Sequence, residues 1–364
     1  MRIVFERRLE PSRLISILVP ILSFVLALVV GGLLLLAAGA NPLETYKAML
    51  EGAFGTTYAR SETIVRAIPL MLTGLSVSIA FRMKFWNIGA EGQLAMGAIA
   101  TAWIPLFLLP DSNLPIWVLL LMMGIAAFVG GALWGLIPAA LKAYLRVNEI
   151  ITTLMLNYVA ILLLDFLYTG PWKDKEGYGF PGTASFKGIA ALPRLPKEWG
   201  FGRVHVGLIV AIVAAVLVWL VLTRTKWGYE IRVIGENPEA ARYAGISLVR
   251  NILLVMILSG GLAGLAGYGQ VAGIAYRLQK GITVGDGFTA IIIAWLAKLH
   301  PFGVLLVAVL MAGLSTGGDQ ITMTMGLPAA MSGVLQGAIL FFVLGGDIFV
   351  RYRLRIVRAV EAGS

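Results

Sequence analysis

Long stretches without a charged residue recur along this chain, and they constrain its fold more than any other feature. The first runs from Leu14 to Ala40, 27 residues without Asp, Glu, Lys or Arg. A helix rises about 1.5 Å per residue, so roughly 20 apolar residues cross the hydrocarbon core of a bilayer. The apolar core of a signal peptide is shorter than this stretch and leads into a cleavage site of small residues. The first stretch therefore predicts a membrane-spanning helix that is retained.

Ten apolar stretches, of which the fifth contains one acid, Asp165, predict an all-α, polytopic membrane protein of about ten transmembrane helices. In chain order they are Leu14–Ala40, Ala67–Phe81, Gly92–Pro110, Ser112–Leu141, Ile151–Gly170, Val206–Thr223, Asn251–Tyr276, Gly287–Ala297, Leu299–Gly318 and Gln320–Gly346. The eighth, 287–297, is too short to cross alone, so it is either a broken span or a re-entrant helix surrounded by protein or water. The expected organisation is a single transmembrane domain over residues 1–364.

Composition agrees with a bilayer and excludes several kinds of site. Hydrophobic residues make up 59% of the chain and charged residues 13%, whereas a soluble domain has about 25% charged residues. The absence of cysteine excludes disulfides and Cys-based metal sites. His205 and His300 are far apart, so we expect neither a metal nor a cofactor. The net charge of +10 indicates basic cytoplasmic loops rather than a nucleic-acid partner.

The distribution of Lys and Arg predicts the sidedness. With ten crossings and a cytoplasmic N-terminus, 18 of the 29 basic residues lie on the inner side, as the positive-inside rule favours. Both termini are then cytoplasmic. The polar segment 171–205 becomes an external loop, and 224–250 becomes the longest cytoplasmic loop.

The cytoplasmic loop 224–250 contains a helix signal of its own. Asn237 is a good N-cap and Pro238 suits the first helical position. Glu239 complements the N-terminal dipole, Ala240, Ala241 and Arg242 favour helix, and Gly245 can end it in a left-handed conformation. The segment is either a solvated connector or a helix that docks into a partner protein.

Two polar strings interrupt the apolar stretches. Asn87, Glu91 and Gln93 lie where the third stretch begins, and Asn148, Glu149 and Asn157 lie where the fifth begins. Polar groups at membrane depth are costly unless they face protein or water. Each string is either a structural helix start with interhelical hydrogen bonds or the lining of a pathway or gate.

A short internal echo relates the two halves of the chain. The string from Asn87 to Gln93 and the string from Thr283 to Thr289 both join a turn with the order glycine, acidic residue, glycine to the start of an apolar helix. They lie five segments apart, and an odd offset predicts inverted five-helix repeats, an architecture common in transporters.

With these residues the chain resembles the permease subunits of bacterial and archaeal ABC importers in the ribose/branched-chain amino acid permease superfamily, which implies the membrane of a prokaryotic cell. The stretch from Thr225 to Ile246 matches the place of that family's coupling helix. The strings at 87–93 and 147–158 look like the nucleoside/simple-sugar branch, whereas ribose-type members have Asp-Leu-Ser where this chain has Gly89, Ala90 and Glu91.

The resemblance implies a type II ABC-importer-like permease of about ten helices that moves nucleosides or related simple sugars. It also implies cytoplasmic ABC ATPase subunits, a second permease subunit that is identical or different, and an extracytoplasmic substrate-binding protein. The chain has no Gly-x-x-x-x-Gly-Lys-Ser/Thr phosphate loop, so we expect a permease and not an enzyme. The alternatives are an ion-coupled secondary transporter, which predicts ionisable residues in mid-helix, and a membrane assembly protein without a substrate.

Overall fold

A computed structural model describes residues 2–7, 13–110, 114–177, 179–186, 188, 190–196, 198, 202–328 and 330–357. The first two residues of the predicted fourth stretch, 112 and 113, and both chain ends lie outside this range.

The described structure is predominantly helical, and each of the ten predicted stretches contains a helix. The helices are α1 (Arg13–Ala37), α2 (Pro42–Leu50), α3 (Thr57–Arg82), α4 (Ala90–Trp103), α5 (Ile116–Leu145), α6 (Glu149–Thr169), α7 (Gly207–Arg224), α8 (Lys226–Glu236), α9 (Pro238–Tyr243), α10 (Leu248–Tyr268), α11 (Asp286–Leu296), α12 (Pro301–Met325) and α13 (Ala330–Arg351). Wider π-helical turns follow α2, α4 and α10, over Glu51–Gly55, Ile104–Leu108 and Gly269–Ala275. Two short strands, β1 (Arg2–Arg7) and β2 (Tyr352–Val357), pair antiparallel.

Within the described residues, six helices are long and apolar enough to cross a membrane individually: α3, α5, α6, α7, α10 with its π turn, and α12. The helices Ile21–Ala37 and Pro42–Gly55 are long and apolar enough only when they are taken together, and the chain bends by 114° between them. The all-α polytopic prediction is confirmed, with the strand pair as an unpredicted addition. Helix α11 has 11 residues, so it is about 16 Å long and cannot cross alone.

The chain divides into two compact units, residues 56–313 and residues 1–55 with 314–364. In the first unit α3 is the central helix, since 89% of its most apolar 18-residue segment is buried. Small residues line the face of α10 that meets α5 and α4: a Cβ on Gly260 would lie 2.4 Å from the carbonyl oxygen of Gly131 in α5. A Cβ on Gly267 would lie 2.2 Å from the carbonyl oxygen of Leu94 in α4. Glycine at these positions lets three backbones pack in direct contact.

In the second unit α1 packs along α13, and α2 lies against α1. Its apolar core consists of Leu35, Met49, Ile321, Leu327 and Leu335. Asn41 begins α2 by accepting the N–H of Leu43 at 3.1 Å, an N-cap that is typical of a helix start.

The predicted external loop, 171–205, is more ordered than its polar composition suggests. Its backbone pairs with the segment after α10: the N–H of Thr183 donates to Leu278 (2.9 Å) and that of Leu192 to Ala272 (2.8 Å). Phe186 is 2% exposed. The described residues of the loop therefore pack on this unit rather than forming a solvated connector.

Candidate functional site

The residues that the sequence singled out around 87–93 and 157 lie in one buried cluster. We call it the polar junction; it consists of Ser76, Asn87, Glu91, Gln93, Asn157 and Ser259, all at most 1% exposed. Asn87 and Gln93 form a reciprocal amide pair, in which Nδ2 of Asn87 donates to Oε1 of Gln93 (3.0 Å) and Nε2 of Gln93 donates to Oδ1 of Asn87 (3.2 Å).

The amide pair is fixed to α10 and α3 through two serines. Nδ2 of Asn87 also donates to Oγ of Ser259 at 3.0 Å, and Ser259 donates to the carbonyl oxygen of Ser76 at 2.9 Å. Paired in this way, the buried amides do not carry the cost of unsatisfied polar groups.

Asn157 of α6 satisfies the backbone at the start of α4. Its Oδ1 accepts the N–H of Gly92 at 2.8 Å, and its Nδ2 donates to the carbonyl oxygen of Ile88 at 2.7 Å. The first N–H groups of a helix have no partner within the helix, and here a side chain from another helix supplies one.

Glu91 likewise binds backbone N–H groups at the start of α11. Its Oε1 accepts the N–H of Gly285 at 2.8 Å and its Oε2 accepts the N–H of Gly287 at 2.5 Å. A carboxylate is favoured at a helix N-terminus because the N-terminal end of the dipole is positive. A Cβ on Gly287 would lie 2.2 Å from the backbone nitrogen of Glu91, so only glycine permits this approach. The two echoing strings, at 87–93 and 283–289, thus meet in direct contact.

The junction lies well inside the helical unit. Asn87 is linked through Ser259 to Ser76, which precedes the end of α3 at Arg82 by six residues, or about 9 Å. The connection 83–89 therefore turns back along α3, and α4 begins inside the unit rather than at its edge.

Helices α4 and α11 leave the junction in opposite directions. Ile293 of α11 lies beside Gly74 and Trp295 beside Phe81, with ring centroids 6.1 Å apart, so α11 runs towards the end of α3. In α4, Gln93 lies against Gly135 and Ala100 against Gly130, so α4 runs antiparallel to α5 and away from that end. Half-length helices whose N-termini meet in the interior are the usual form of a transporter site.

The residues Asn148 and Glu149 are not part of the junction. Asn148 is exposed and caps α6, accepting the N–H of Ile150 at 2.9 Å. Glu149 forms a salt bridge with Lys142, with Nζ and Oε2 2.6 Å apart. These contacts join the end of α5 to the start of α6.

The helix predicted at 237–245 forms with the expected ends. Oδ1 of Asn237 accepts the N–H groups of Glu239 (3.0 Å) and Ala240 (3.1 Å), and Gly245 is left-handed with φ +74°. Ala241 is buried, whereas Glu239 and Arg242 are exposed. Tyr243 is 94% exposed. The helix α9 is therefore anchored on one side and open on the other.

Helix α8 connects α9 to the helices of the junction. A Cβ on Gly235 would lie 2.2 Å from the carbonyl oxygen of Arg82 at the end of α3. Nε1 of Trp227 donates to Oδ1 of Asn251 in α10 at 2.9 Å. Contact is thus continuous from α9 through α8 to α3 and α10; we call this end of the unit the α9 end.

The sequence analysis missed three polar residues beside the junction: Arg66, Gln270 and Asp286. Nε2 of Gln270 donates to Oδ2 of Asp286 at 2.9 Å. The acidic residue stands in the echoing string, which was a usable signal, but no pattern connected it to the other two. In the described part of the chain, no group of three or more His, Cys, Asp or Glu side chains is arranged to hold a metal ion.

Comparison with known proteins places the chain in a family. Residues 59–344 match the family described as branched-chain amino acid transport system / permease component. The chain is 38% identical to the glucose ABC transporter permease protein TsgB13 of Haloferax volcanii, over 96% of this chain and 94% of that protein. It is 35% identical to the guanosine ABC transporter permease protein NupP of Bacillus subtilis, over 91% and 94%. It is 33% identical to the nucleoside ABC transporter permease protein NupB of Lactococcus lactis, over 96% of each.

These relatives confirm the resemblance found in the sequence and set aside the ion-coupled alternative. They are permease components, which in general work with separate ATPase and substrate-binding partners. The chain belongs to the branched-chain amino acid transport system / permease component family, and it is a multi-pass membrane permease subunit of an ABC importer and not an enzyme.

Proposed function

We propose that this permease imports nucleosides or related simple sugars and that α9 is the helix through which the partner ATPases drive it. The three relatives are named for glucose, guanosine and nucleosides, which supports the substrate class. The observation that carries the coupling role is α9 itself, a capped helix with one buried alanine and a charged outer face.

The proposed mechanism follows the contacts from α9 to the polar junction. ATP binding moves the ATPases, α9 moves with them, and α8 passes the motion to the end of α3 through Gly235 and Arg82. The connection 83–89 then shifts the start of α4 relative to α11. In this mechanism Asn87, Glu91, Gln93 and Asn157 act as the gate, while Asn148 and Glu149 brace α5 and α6 beside it.

The proposed assembly has two permease subunits, two cytoplasmic ABC ATPases and an extracytoplasmic binding protein that delivers the solute. Both termini and α9 face the cytoplasm, and the loop 171–205 faces outward beneath the binding protein.

The double variant Glu239→Ala/Arg242→Ala tests the coupling role. We expect uptake of guanosine or glucose to fall at least tenfold, because the exposed charges that orient α9 on the ATPase are removed while Ala241 still anchors the helix. The amount of permease in the membrane should not change. Uptake is measured in cells that express the complete transporter.

The matched control is Lys47→Ala/Glu51→Ala, which also removes one exposed base and one exposed acid. An exposed pair of this kind contributes little to stability, so its uptake should equal that of the unmodified transporter. Normal uptake by the α9 variant would show that α9 is only a connector.

A further inference from the structure

Three polar side chains from three segments converge beside the polar junction: Arg66 of α3, Gln270 of the π turn after α10, and Asp286 of α11. Nε2 of Gln270 lies 2.9 Å from Oδ2 of Asp286, and the guanidinium of Arg66 acts electrostatically on the same carboxylate. All three are partly exposed, in contrast to the closed junction. Ionisable residues within membrane-spanning segments are costly and mark substrate or ion pathways.

The backbone on each side of this cluster is specialised. Gln270 lies on a π turn, Gly269–Ala275, and such turns occur often at functional sites. Asp286 follows Gly285, which is left-handed at φ +96°, and the N–H groups of Gly285 and Gly287 are both bound by Glu91. Glu91 thus holds the backbone of Asp286 from both sides while the side chain reaches Gln270.

The cluster lies on the side of the junction away from the α9 end. Gln270 is about three helical turns beyond Ser259 on α10, and Arg66 is about three turns before Ser76 on α3. A solute that enters from that side meets these three residues before it reaches the junction.

The chemistry of the cluster suits a neutral solute rich in hydroxyl groups. Arg66 and Asp286 have opposite charges, and Glu91, the other acid that acts on Asp286, is bound to backbone N–H groups at the start of α11. The N–H groups at the start of α11, which otherwise attract anions, are already bound by the carboxylate of Glu91. A carboxylate accepts from two neighbouring hydroxyls, and the amide of Gln270 offers both a donor and an acceptor.

We propose that Arg66, Gln270 and Asp286 form a subsite that binds the vicinal hydroxyl groups of a sugar ring during translocation. The ring is the ribose of a nucleoside or a free hexose, and the subsite does not read the base. This inference rests on the proposed import of nucleosides or simple sugars.

The test uses the complete transporter reconstituted in proteoliposomes with a saturating amount of its binding protein. One arm compares guanosine with 2′,3′-dideoxyguanosine, and the other compares D-glucose with 3-deoxy-D-glucose. For Asp286→Asn we expect uptake of the hydroxylated member to fall about tenfold, since a hydrogen bond to a charged acceptor is lost. The ratio of uptake of the hydroxylated substrate to uptake of its deoxy analogue should fall to near one. The arm in which this ratio falls shows whether the subsite binds ribose or a hexose.

Asp165→Asn is the matched control, because Asp165 is a partly exposed carboxylate on α6 that accepts a hydrogen bond from Tyr168. The uptake by this variant, and its preference for the hydroxylated substrate, should equal those of the unmodified transporter. Gln270→Met, of similar volume, repeats the test should Asp286→Asn fail to reach the membrane. Equal losses for hydroxylated and deoxy substrates, or no loss, would overturn the subsite while leaving the proposed function intact. Absence of uptake of both guanosine and glucose by the unmodified transporter would instead contradict the proposed function, and the subsite with it.

Discussion

His205 shows how one side chain holds the loop 171–205 in place. It is 1% exposed, and its Nδ1 accepts the N–H of Gly207 at 3.1 Å. A Cβ on Gly273 would lie 2.5 Å from its Nε2, so the ring fits only against glycine. Burial, and then the nearby charge of Arg194, lower the pKa of His205 to about 4. The ring is therefore neutral in the folded loop.

We predict that the loop loosens in mild acid. The folded pKa of His205 lies below its ordinary value of about 6.5, so between pH 6.5 and 4 the opened loop binds a proton that the closed loop does not. The free energy of opening should therefore decrease as the pH is lowered, and at pH 5 it should be about 2 kcal/mol smaller than at pH 7. Hydrogen exchange of residues 190–206 at pH 7 and pH 5 measures this.

The variant His205→Gln removes the titrating group, so its exchange should respond less to pH than that of the unmodified chain. His300→Gln is the control, because His300 is exposed. An identical response to pH in the His205 variant would contradict the assignment.

At the scale of elements, the contact between α4 and α11 is the most specific feature of the unit 56–313. Each helix starts inside the unit, and a side chain from elsewhere binds N–H groups at its start: Asn157 binds one at α4, and Glu91 binds two at α11. In a bilayer no water replaces these partners, so a helix that begins in the interior depends on them.

We predict that Glu91→Gln destabilises the protein by about 1.5–3 kcal/mol. The amide oxygen of glutamine can accept one of the two N–H groups of Gly285 and Gly287, but its NH₂ group then faces the other donor. Thermal unfolding of the purified protein in detergent measures the change. Glu44→Gln, at an exposed position in α2, should shift stability by less than about 0.5 kcal/mol. Equal unfolding temperatures for both variants would mean that Glu91 does not hold α11.

At the scale of the whole molecule, the proposed sidedness determines which face meets which partner. The proposed coupling role requires α9 on the cytoplasmic side, and the proposed docking of a binding protein requires the loop 171–205 on the outer side. The absence of cysteine makes the chain suited to a direct test, because any single introduced cysteine is the only thiol.

We predict that a membrane-impermeant thiol reagent labels Glu176→Cys in intact cells. Tyr243→Cys on α9 and Ser364→Cys at the chain end should be labelled only after the cells are permeabilised. Tyr243 is 94% exposed and Glu176 is exposed, so a lack of labelling at either is not caused by burial in this chain. Labelling of Tyr243→Cys in intact cells would reverse the proposed orientation.

The helices missed by the sequence analysis have a common physical cause. α8 contains Lys226, Glu230, Arg232 and Glu236, so a search for uncharged stretches passed over it. α2 was missed for the same reason, although the N-caps of both helices, Asn41 and Thr225, were present as local signals. The backbone hydrogen bonds of the loop 171–205 could not be predicted from its sequence either, because their partners lie on the segment after α10.

The sequence by itself determined the ten apolar segments and the ends of α9. A bilayer requires continuous apolar runs, which are visible in composition, and the capping of α9 depends only on residues within the same turn. Only the tertiary structure decided that Glu91 binds Gly285 and Gly287, and that Asp286 meets Gln270. These partners are distant in sequence. Gly287 lets the start of α11 approach the backbone of Glu91, and no local pattern specifies that contact.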